Sequence, residues 1–354
     1  MARMRTHLQA LNVTFRPHLK TCKSIDVARY CMESPEGPAT VSTLAEAEYF
    51  ADFGVKDILY AVGIAPNKFP RAAALMRRGV RLCVITDNVE GANALVEYAR
   101  KVDLVFDVRI EIDCDGHRSG LVPGDPAILE VAAALDTPYT RLDGVLTHAG
   151  NAYACRSVAE IAALAVQERD AVVAVAQSLR QAGYACPVVS VGSTPTALLA
   201  VNLDGVTEVR AGVFMFFDLV MAGLGVCSVD DIALSVLATV IGHQRAKGWT
   251  IVDAGWMALS RDRGTGRQAV DQGYGLVCGL DGRPLEDVIV VDANQEHGIL
   301  ASRSGGPMPE LPVGTQVRIL PNHACATASA YSKYHVLDGG EPSVVWLRCN
   351  GWGA

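Results

Sequence analysis

Apolar runs alternate with amphipathic stretches along the chain from residue 1 to about residue 212. The apolar runs have strand length and predict eight strands, at Val13–Leu19, Ala39–Val41, Asp57–Ala61, Arg81–Ile85, Leu104–Ile112, Leu142–Thr147, Val188–Val191 and Thr207–Ala211. Apolar residues at helical spacing predict helices between them, at Thr43–Phe53, Pro66–Arg78, Asn88–Lys101, Pro126–Leu135, Ser157–Ala182 and Thr196–Asn202. Eight strands with intervening helices are typical of a (β/α)8 TIM barrel. A doubly wound open sheet is the alternative, but no G-x-G-x-x-G motif opens a helix here to mark its dinucleotide-binding form.

The pattern changes after about residue 220, where helical spacing fades and short strands take over. These strands are predicted at Ala233–Ile241, Trp249–Asp253, Tyr274–Cys278, Val288–Val291, Gly298–Ala301, Thr315–Ile319 and Ser343–Leu347. Turn residues separate them, including Asp281-Gly282 and the run Asp338–Gly340. We therefore predict a barrel domain over residues 1–220 and a β-rich domain over residues 221–354.

Composition and charge narrow the possible functions. With 354 residues, 50% of them hydrophobic and 19% charged, the chain can bury a large core and fits two domains. A net charge of −7 and a pI near 5.6 argue against a nucleic-acid surface. No apolar run reaches the roughly 18 residues that a membrane span needs, and no apolar signal-peptide segment follows the first residues. Ten scattered cysteines without a C-x-x-C pair support neither a zinc ribbon nor a disulfide framework, so we expect a cytoplasmic protein.

The stretch Arg16–Ser24 stands at the end of the first predicted strand and ahead of a helical pattern. Lys20 therefore lies in a strand-to-helix loop, and a TIM barrel gathers these loops at the mouth that carries the chemistry. Partial desolvation there makes an ammonium easier to deprotonate, so that the amine can form a Schiff base with a carbonyl compound. The same stretch also fits two ordinary solvated lysines, Lys20 and Lys23, that flank a turn.

Two further loops carry specific chemistry. Val191–Thr196 ends a strand and opens a helix, so its backbone N–H groups and hydroxyls suit a phosphate or carboxylate. The same residues fit a plain helix N-cap by Ser193 or Thr194. Asp113–Gly120 is a tight loop in which Arg118 is either a site residue or an ordinary solvated arginine.

In the β-rich part, His323 and Cys325 follow the predicted strand Thr315–Ile319. A spacing of two puts both side chains on one face of an extended segment. An imidazole and a thiolate on one face suit Zn²⁺ or a similar ion, and two protein ligands alone would leave the site open. A buried cysteine beside a hydrogen-bonded histidine is the alternative.

Taken together, five segments resemble the D-serine dehydratase/D-threonine aldolase family, whose members are fold-type III pyridoxal-phosphate enzymes and relatives of alanine racemase. The segments are Arg16–Ser24, Glu111–Gly120, Thr147–Gly150, Ser190–Thr196 and Pro321–Cys325. The resemblance covers nearly the whole chain and implies an alanine-racemase-like (β/α)8 barrel with a C-terminal β-rich domain. The runs at 203–212 and 253–258 are most similar to the branch that acts on D-threo-3-hydroxyaspartate.

The resemblance also implies roles for individual residues. Lys20 matches the lysine that forms the Schiff base with pyridoxal 5′-phosphate and acts in catalysis. The cofactor-binding residues we predict are Lys20, His18, Tyr60, Arg118, His148, Tyr153, Gly192, Ser193, Thr194 and Gly212, with Gly192–Thr194 matching the phosphate loop. His323 and Cys325 match the metal ligands and are predicted to be catalytic. A cysteine ligand favours Zn²⁺ over Mg²⁺, with Mn²⁺ and Co²⁺ as alternatives.

The activity that the resemblance implies is elimination of water from a small D-3-hydroxy amino acid, D-threo-3-hydroxyaspartate or D-serine, to give a 2-oxo acid and ammonia. Aldolases of the family more often look like H-x-D at the metal motif, so the cysteine favours the dehydratase branch. The alternatives are a D-threonine aldolase that releases glycine and an aldehyde, an amino-acid racemase, and a non-catalytic pyridoxal-phosphate carrier. Family members are commonly homodimers.

The sequence departs from the family in two places. Family members usually begin further upstream, with a first strand that joins the β-rich domain, whereas this sequence begins inside the following helix. Phe214 stands where close relatives tend to have tyrosine, so we expect one phosphate contact to be absent.

Overall fold

The computed structural model describes residues 1–338 and 341–350, with the backbone alone at 341–342. Gly339 and Gly340 of the predicted turn lie outside the described residues. The chain forms two units, the first of residues 1–155 and 159–214 and the second of residues 156–158 and 215–350.

The first unit is built on one parallel sheet of eight strands in the order β1-β8-β7-β6-β5-β4-β3-β2. The strands are β1 Thr14–Pro17, β2 Ala39–Val41, β3 Asp57–Gly63, β4 Arg81–Thr86, β5 Phe106–Ile112, β6 Thr140–Thr147, β7 Val188–Val191 and β8 Glu208–Ala211. A parallel bridge between His18 and Thr40 closes the sheet between β1 and β2, and the Leu19 N–H donates to the Thr40 carbonyl at 2.8 Å. Because the strands follow in sequence order around a closed ring, the TIM-barrel prediction is confirmed and the doubly wound sheet is excluded.

Helices cover the outside of this sheet. They are α1 Ala2–Ala10, α2 Ile25–Ala28, α3 Leu44–Asp52, α4 Phe69–Arg77, α5 Val89–Val102, α6 Ala127–Leu135, α7 Val158–Gln181 and α8 Thr194–Leu199. Side-chain caps fix several starts: Thr43 accepts from the Glu46 N–H at the start of α3, and Asn88 accepts from the Gly91 N–H at the start of α5. Short 3-10 turns precede α4 at Pro66–Lys68 and follow β6 at Gly150–Ala154.

Charged side chains fill part of the barrel interior. Glu208 on β8 accepts from Arg16 Nε at 2.6 Å and from Arg109 Nη1 at 2.7 Å, and Arg109 Nε donates to Asp143 at 2.8 Å. Arg16 also donates to Asp57 at 2.8 Å. These ion pairs lie where a TIM barrel usually holds branched apolar residues. The barrel therefore depends on charge pairing as well as on apolar packing.

The second unit is a closed barrel of six antiparallel strands in the order β10-β13-β12-β11-β14-β9, with a separate ribbon of two strands. The strands are β9 Val236–Gln244, β10 Trp249–Val252, β11 Leu276–Cys278, β12 Pro284–Ala293, β13 Gly298–Ser302, β14 Gln316–Leu320, β15 Lys333–Asp338 and β16 Glu341–Leu347. Three short helices, α9 Leu219–Gly223, α10 Trp256–Leu259 and α11 Ala324–Ala328, join them, with 3-10 turns at Val213–Met215, Val229–Asp231, Arg245–Lys247 and Gly264–Arg267. On β9, Val236, Ala238 and Val240 alternate into the core of this barrel.

The structure differs from the sequence prediction in the details of this unit. The first strand begins at Val236 rather than at residue 233. Strand β15 was not predicted; it alternates only over Lys333–Val336, and none of its residues is buried. The three helices are too short to show a helical period. No helix within the described residues is long and apolar enough to cross a membrane.

Candidate active site

A cavity of about 240 Å³ lies in the first unit at the carboxyl ends of the barrel strands. All but one of the predicted cofactor residues line it, namely His18, Lys20, Arg118, His148, Tyr153, Gly192, Ser193, Thr194 and Gly212. They follow strands β1, β5, β6, β7 and β8, which are far apart in the sequence. The barrel brings them together because the ends of parallel strands meet at one mouth.

Tyr60 is the predicted residue that does not line this cavity. It is fully buried, and its hydroxyl accepts a hydrogen bond from Lys68 Nζ at 2.9 Å. The neighbouring Ala61 lines the cavity instead. Because side chains alternate along a strand, Tyr60 points away from the barrel interior, and the strand-end position alone did not reveal this.

The Lys20 loop is held by a buried carboxylate. Lys20 is half-buried, and Lys23 in the same loop has a left-handed backbone with φ of 47°. Lys23 Nζ lies 3.2 Å from Glu46, which also accepts from the Ser42 N–H at 3.0 Å. Glu46 thus ties the lysine loop to the loop after β2, where Ser42 lines the cavity. Lys23 is not an ordinary solvated residue.

The Gly192–Thr194 loop forms one wall of the cavity. Gly192 has a φ of 151°, and a Cβ there would lie 1.9 Å from the Arg210 carbonyl oxygen, so only glycine fits. Ser193 caps helix α8 through a reciprocal pair of bonds with Thr196, as the N-cap interpretation predicted. Phe214 is buried edge-on against Phe15, with ring centroids 5.2 Å apart, and provides no hydroxyl.

Two histidines at the cavity are held neutral. Burial lowers the pKa of His148 to about 3, although its Nδ1 lies 2.7 Å from the Gly192 carbonyl oxygen. A carbonyl only accepts, so Nδ1 carries the proton and Nε2 is left as an acceptor. Burial, with the charges of Lys20 and Arg210, also lowers the pKa of His18 well below its usual value.

Positive charge dominates the cavity wall. Lys20, Arg118 and Arg210 line it with a single carboxylate, Glu111, whose pKa is raised by burial. Arg210 is buried, and its guanidinium donates to the Thr147 carbonyl at 2.6 Å. The lining therefore suits an anion, and a phosphate-bearing cofactor fits this requirement. His18 Nδ1 is buried and has no hydrogen-bond partner among the described residues, so it can accept or donate one more bond to such a ligand.

The second unit carries the predicted metal pair. His323 has extended dihedral angles, but it is the cap of helix α11, and Cys325 lies in the first turn. The prediction of one extended segment for both residues is therefore wrong. The helix starts here because Asp218, itself buried, accepts from the Ala324 N–H between them at 2.9 Å. The Cys325 side chain still reaches His323 and forms a hydrogen bond with it.

Asp262 orients the imidazole of His323. Its Oδ2 lies 2.7 Å from His323 Nδ1. Burial lowers the pKa of His323, but the bonds to Asp262 and Cys325 raise it to about 10. A carboxylate on one ring nitrogen is the usual partner of a metal-binding histidine, because it leaves Nε2 for the ion.

The donor set fits a divalent ion with open coordination positions. Imidazole and thiolate are ligands that Zn²⁺ and related ions accept. Across residues 1–338 and 341–350, no group of three His, Cys, Asp or Glu residues is arranged to hold a metal ion. Water or substrate would therefore have to fill the remaining positions.

Several residues of these sites were not predicted. They are Glu46, Glu111, Asp218 and Asp262. A signal existed for Glu111, which stands two residues beyond Arg109 on a strand and so faces the same interior. The others act across distant parts of the sequence, and spacing along the chain cannot indicate them.

Comparison with known proteins agrees with this arrangement. The family model described as "Alanine racemase, N-terminal domain" matches residues 1–220, and "Putative serine dehydratase domain" matches residues 233–337. The chain is 52% identical to the D-threo-3-hydroxyaspartate dehydratase of Delftia sp., over 99% of this chain and 94% of that protein. It is 33% identical to the D-serine dehydratase of Dictyostelium discoideum, over 95% of this chain and 89% of that protein.

Solved structures give the same result. The Delftia dehydratase superposes with a TM-score of 0.96 over 99% of this chain and 94% of that chain. A cysteine-to-alanine variant of that enzyme has been solved in a metal-free form. The D-threonine aldolase of Filomicrobium marinum is 25% identical and superposes with a TM-score of 0.80, over 98% of this chain and 90% of that chain.

The fold, the lysine-bearing cavity and these matches lead to one assignment: the chain belongs to the D-serine dehydratase/D-threonine aldolase family of alanine-racemase-like, pyridoxal-phosphate-dependent enzymes.

Proposed function

We propose that this protein is a pyridoxal-phosphate- and divalent-metal-dependent dehydratase of a D-3-hydroxy amino acid. The substrate is D-threo-3-hydroxyaspartate or D-serine, and the products are a 2-oxo acid and ammonia. The observation that carries the proposal is a half-buried Lys20 in a cationic cavity that also contains the Gly192–Thr194 loop. The dehydratase relatives and Cys325 in the metal motif support this branch over the aldolases.

The cavity residues have separate tasks. When bound, pyridoxal phosphate supplies an electron sink for the charge that develops at the substrate Cα. Lys20 Nζ would hold the cofactor, and its amine would act as the general base that takes the proton from the substrate Cα. The neutral His148 keeps its proton on Nδ1, bound to the Gly192 carbonyl, and offers Nε2 as an acceptor. Arg118 and Arg210 supply positive charge to the anionic groups.

His323 and Cys325 would hold the divalent ion, with Zn²⁺ the first choice and Mn²⁺, Mg²⁺ and Co²⁺ as alternatives. A bound ion supplies Lewis acidity that makes the β-hydroxyl a better leaving group. Asp262 fixes the imidazole of His323 through Nδ1, and Asp218 fixes the backbone between the two ligands.

Product analysis tests the reaction. The protein is incubated with D-threo-3-hydroxyaspartate, D-serine and D-threonine, and the assay measures ammonia with 2-oxo acid against glycine with aldehyde. Ammonia and oxo acid as the main products support the dehydratase. Glycine and aldehyde as the main products would identify an aldolase. Formation of the L isomer would identify a racemase, and the absence of turnover would favour a pyridoxal-phosphate carrier.

Lys20→Ala tests the cofactor role. The variant should lose the visible absorbance band of the lysine-bound cofactor. Lys56→Ala is the matched control, because Lys56 is 60% exposed and pairs with Glu36 on the surface. Retention of the full band in Lys20→Ala would contradict the assignment.

We also propose that the enzyme is a cytoplasmic homodimer. No disulfide bond joins any two of the ten cysteines, all of which lie within the described residues, and this suits a reducing compartment. The dimer follows from the family resemblance. Sedimentation velocity tests it, and a single species of monomer mass at micromolar concentration would contradict it.

A further inference from the structure

Helix α7 carries one carboxylate on its apolar face. Its buried positions are Ile161, Ala165, Glu168, Val172, Val175, Ala176 and Leu179. Their spacing is that of a core-facing helix stripe, and Glu168 stands in the middle of it with 2% of its surface exposed. Burying a carboxylate is costly unless it is compensated. No ion pair to Glu168 is found in the described part of the chain, so its hydrogen bonds supply most of the compensation, and the charge of Arg210 adds to it.

Those bonds go to two different loops of the cavity. Glu168 Oε1 accepts from the Ala149 N–H at 3.0 Å and from the Gly192 N–H at 3.0 Å. Ala149 follows His148, and Gly192 begins the Gly192–Thr194 loop. Thr196, the partner of Ser193 in the α8 cap, is a third hydrogen-bond partner. One side chain thus joins the loop after β6 to the loop after β7.

Both backbone polar groups of Gly192 are consequently fixed. Its N–H donates to Glu168, and its carbonyl accepts from His148 Nδ1 at 2.7 Å. The bond from His148 sets which nitrogen of the imidazole carries the proton. If Glu168 were apolar, two buried N–H groups would lose their acceptor, and each such loss is unfavourable. The loops would then have to move to recover partners.

We propose that Glu168 is the positioning residue of the cofactor site, which holds the Gly192–Thr194 loop and His148 in register for pyridoxal phosphate. This inference rests on the proposed function. Glu168 does not line the cavity, so it acts through the peptides that it binds. Burial raises the pKa of Glu168, while the bonds from Thr196, Ala149 and Gly192 and, less strongly, the charge of Arg210 oppose this change, as expected for a carboxylate that serves as an acceptor.

The test uses the full chain with three substitutions of Glu168 and one control. Glu168→Leu removes the acceptor. Glu168→Asp keeps the charge but withdraws it by one methylene, and Glu168→Gln keeps an acceptor oxygen in place. Val172→Ala is the control, because Val172 is fully buried one helical turn along the same face and its apolar side chain cannot accept a hydrogen bond from either loop amide.

Two measurements are made on each variant. Hydrogen exchange at the Ala149 and Gly192 amides, in cofactor-free protein, reports the loop contacts directly. Titration with pyridoxal phosphate gives the cofactor dissociation constant. We expect the Glu168→Leu and Glu168→Asp variants to exchange faster at both amides. Both variants should also bind the cofactor more weakly, on the order of tenfold to 100-fold. The Glu168→Gln variant should keep the exchange rates and the cofactor dissociation constant within a few-fold of wild type. The Val172→Ala control should lower the melting temperature without changing the exchange rates or the dissociation constant.

Wild-type-like exchange and cofactor affinity in the Leu variant would overturn the inference. If the Leu variant does not fold, the Asp variant decides by the same two readings. Equal weakening of cofactor binding in Val172→Ala would also overturn it, since general softening of the helix would then explain the loss. Failure of wild type to bind pyridoxal phosphate would refute the proposed function instead, and the exchange rates would still decide whether Glu168 holds the two loops.

Discussion

The substitution Glu208→Gln tests the ion pairs inside the parallel barrel. Glu208 Oε1 accepts from Arg109 and from Ser190 Oγ, both at 2.7 Å, and Oε2 accepts from Arg16 at 2.6 Å. About 6% of the side-chain surface of Glu208 and Arg16 is exposed, and 1% of that of Arg109. Glutamine keeps the size of the side chain but removes its charge and turns one acceptor into a donor.

The size of the effect follows from what each arginine retains. Breaking a buried pair by removing one partner costs about 3–5 kcal/mol, because it leaves an uncompensated charge. Here Arg16 keeps Asp57 at 2.8 Å and Arg109 keeps Asp143 at 2.8 Å. We therefore expect a loss near the lower limit, about 3 kcal/mol in the free energy of unfolding.

Urea unfolding followed by circular dichroism measures this loss. The helical signal comes mainly from the first unit, whereas Trp249, Trp256 and Trp346 lie in the second unit, so fluorescence reports mainly on the second unit. Glu36→Gln is the matched control, because Glu36 pairs with Lys56 at 2.6 Å with about 60% of both side chains exposed. An exposed pair of this kind contributes about 0–1 kcal/mol.

Acid supplies an independent check. Burial raises the pKa of Glu208, but Arg16 and Arg109 lower it more, so the folded pKa is below the unfolded one. The carboxylate stabilises the fold above its unfolded pKa of about 4.3 and loses this contribution as the pH falls toward the folded pKa. The deficit of Glu208→Gln should be constant at neutral pH and shrink below about pH 4. A loss no larger than that of Glu36→Gln, or one that does not shrink in acid, would refute the reasoning.

Other predictions concern the two candidate sites. Asp262→Asn should weaken metal binding about 10- to 100-fold in a competition titration, because His323 loses its carboxylate partner, and unchanged affinity would contradict this. Gly192→Ala should abolish cofactor binding, because the added Cβ would lie 1.9 Å from the Arg210 carbonyl oxygen. Gly183→Ala is the control, since no atom lies within 4 Å of its Cβ. It should lose only about 1–2 kcal/mol of stability to left-handed backbone strain and should bind the cofactor normally. EDTA should abolish dehydration while the cofactor band survives, and Zn²⁺ or Mn²⁺ should restore activity in wild type but not in Cys325→Ala. Recovery in that variant would remove Cys325 from the metal site.

The sequence predicted the barrel because its signals are local. Each strand is an apolar run, and each helix shows apolar residues at helical spacing. The alternation of strands and helices along the chain then indicates the barrel topology. The gathering of strand-end loops at one mouth was predicted for the same reason, whereas the cofactor-binding roles of individual residues came from the family resemblance. Tyr60 shows the limit: it was predicted near the end of a strand over Asp57–Ala61, but β3 continues to Gly63, and the neighbouring Ala61 lines the cavity instead.

Interactions between distant segments could not be predicted. Glu208 meets Arg16 across 192 positions and Arg109 across 99, and nothing in the spacing of these residues pairs them. The metal motif is similar. His323 and Cys325 were visible as a pair, but the carboxylates that cap the helix and orient the imidazole come from positions 218 and 262.

The bridge between His18 and Thr40 has a consequence for how the barrel opens. The other strand neighbours share ladders, whereas β1 and β2 meet at this isolated bridge, so this seam is the weakest join in the ring. His18 and Lys20 stand on one side of the seam and Ser42 on the other, and all three line the cavity. A ligand that contacts both sides would connect the β1 end of the ring to the β2 end. It should therefore slow the separation of these two strands during unfolding more than a ligand of equal affinity that contacts only one side.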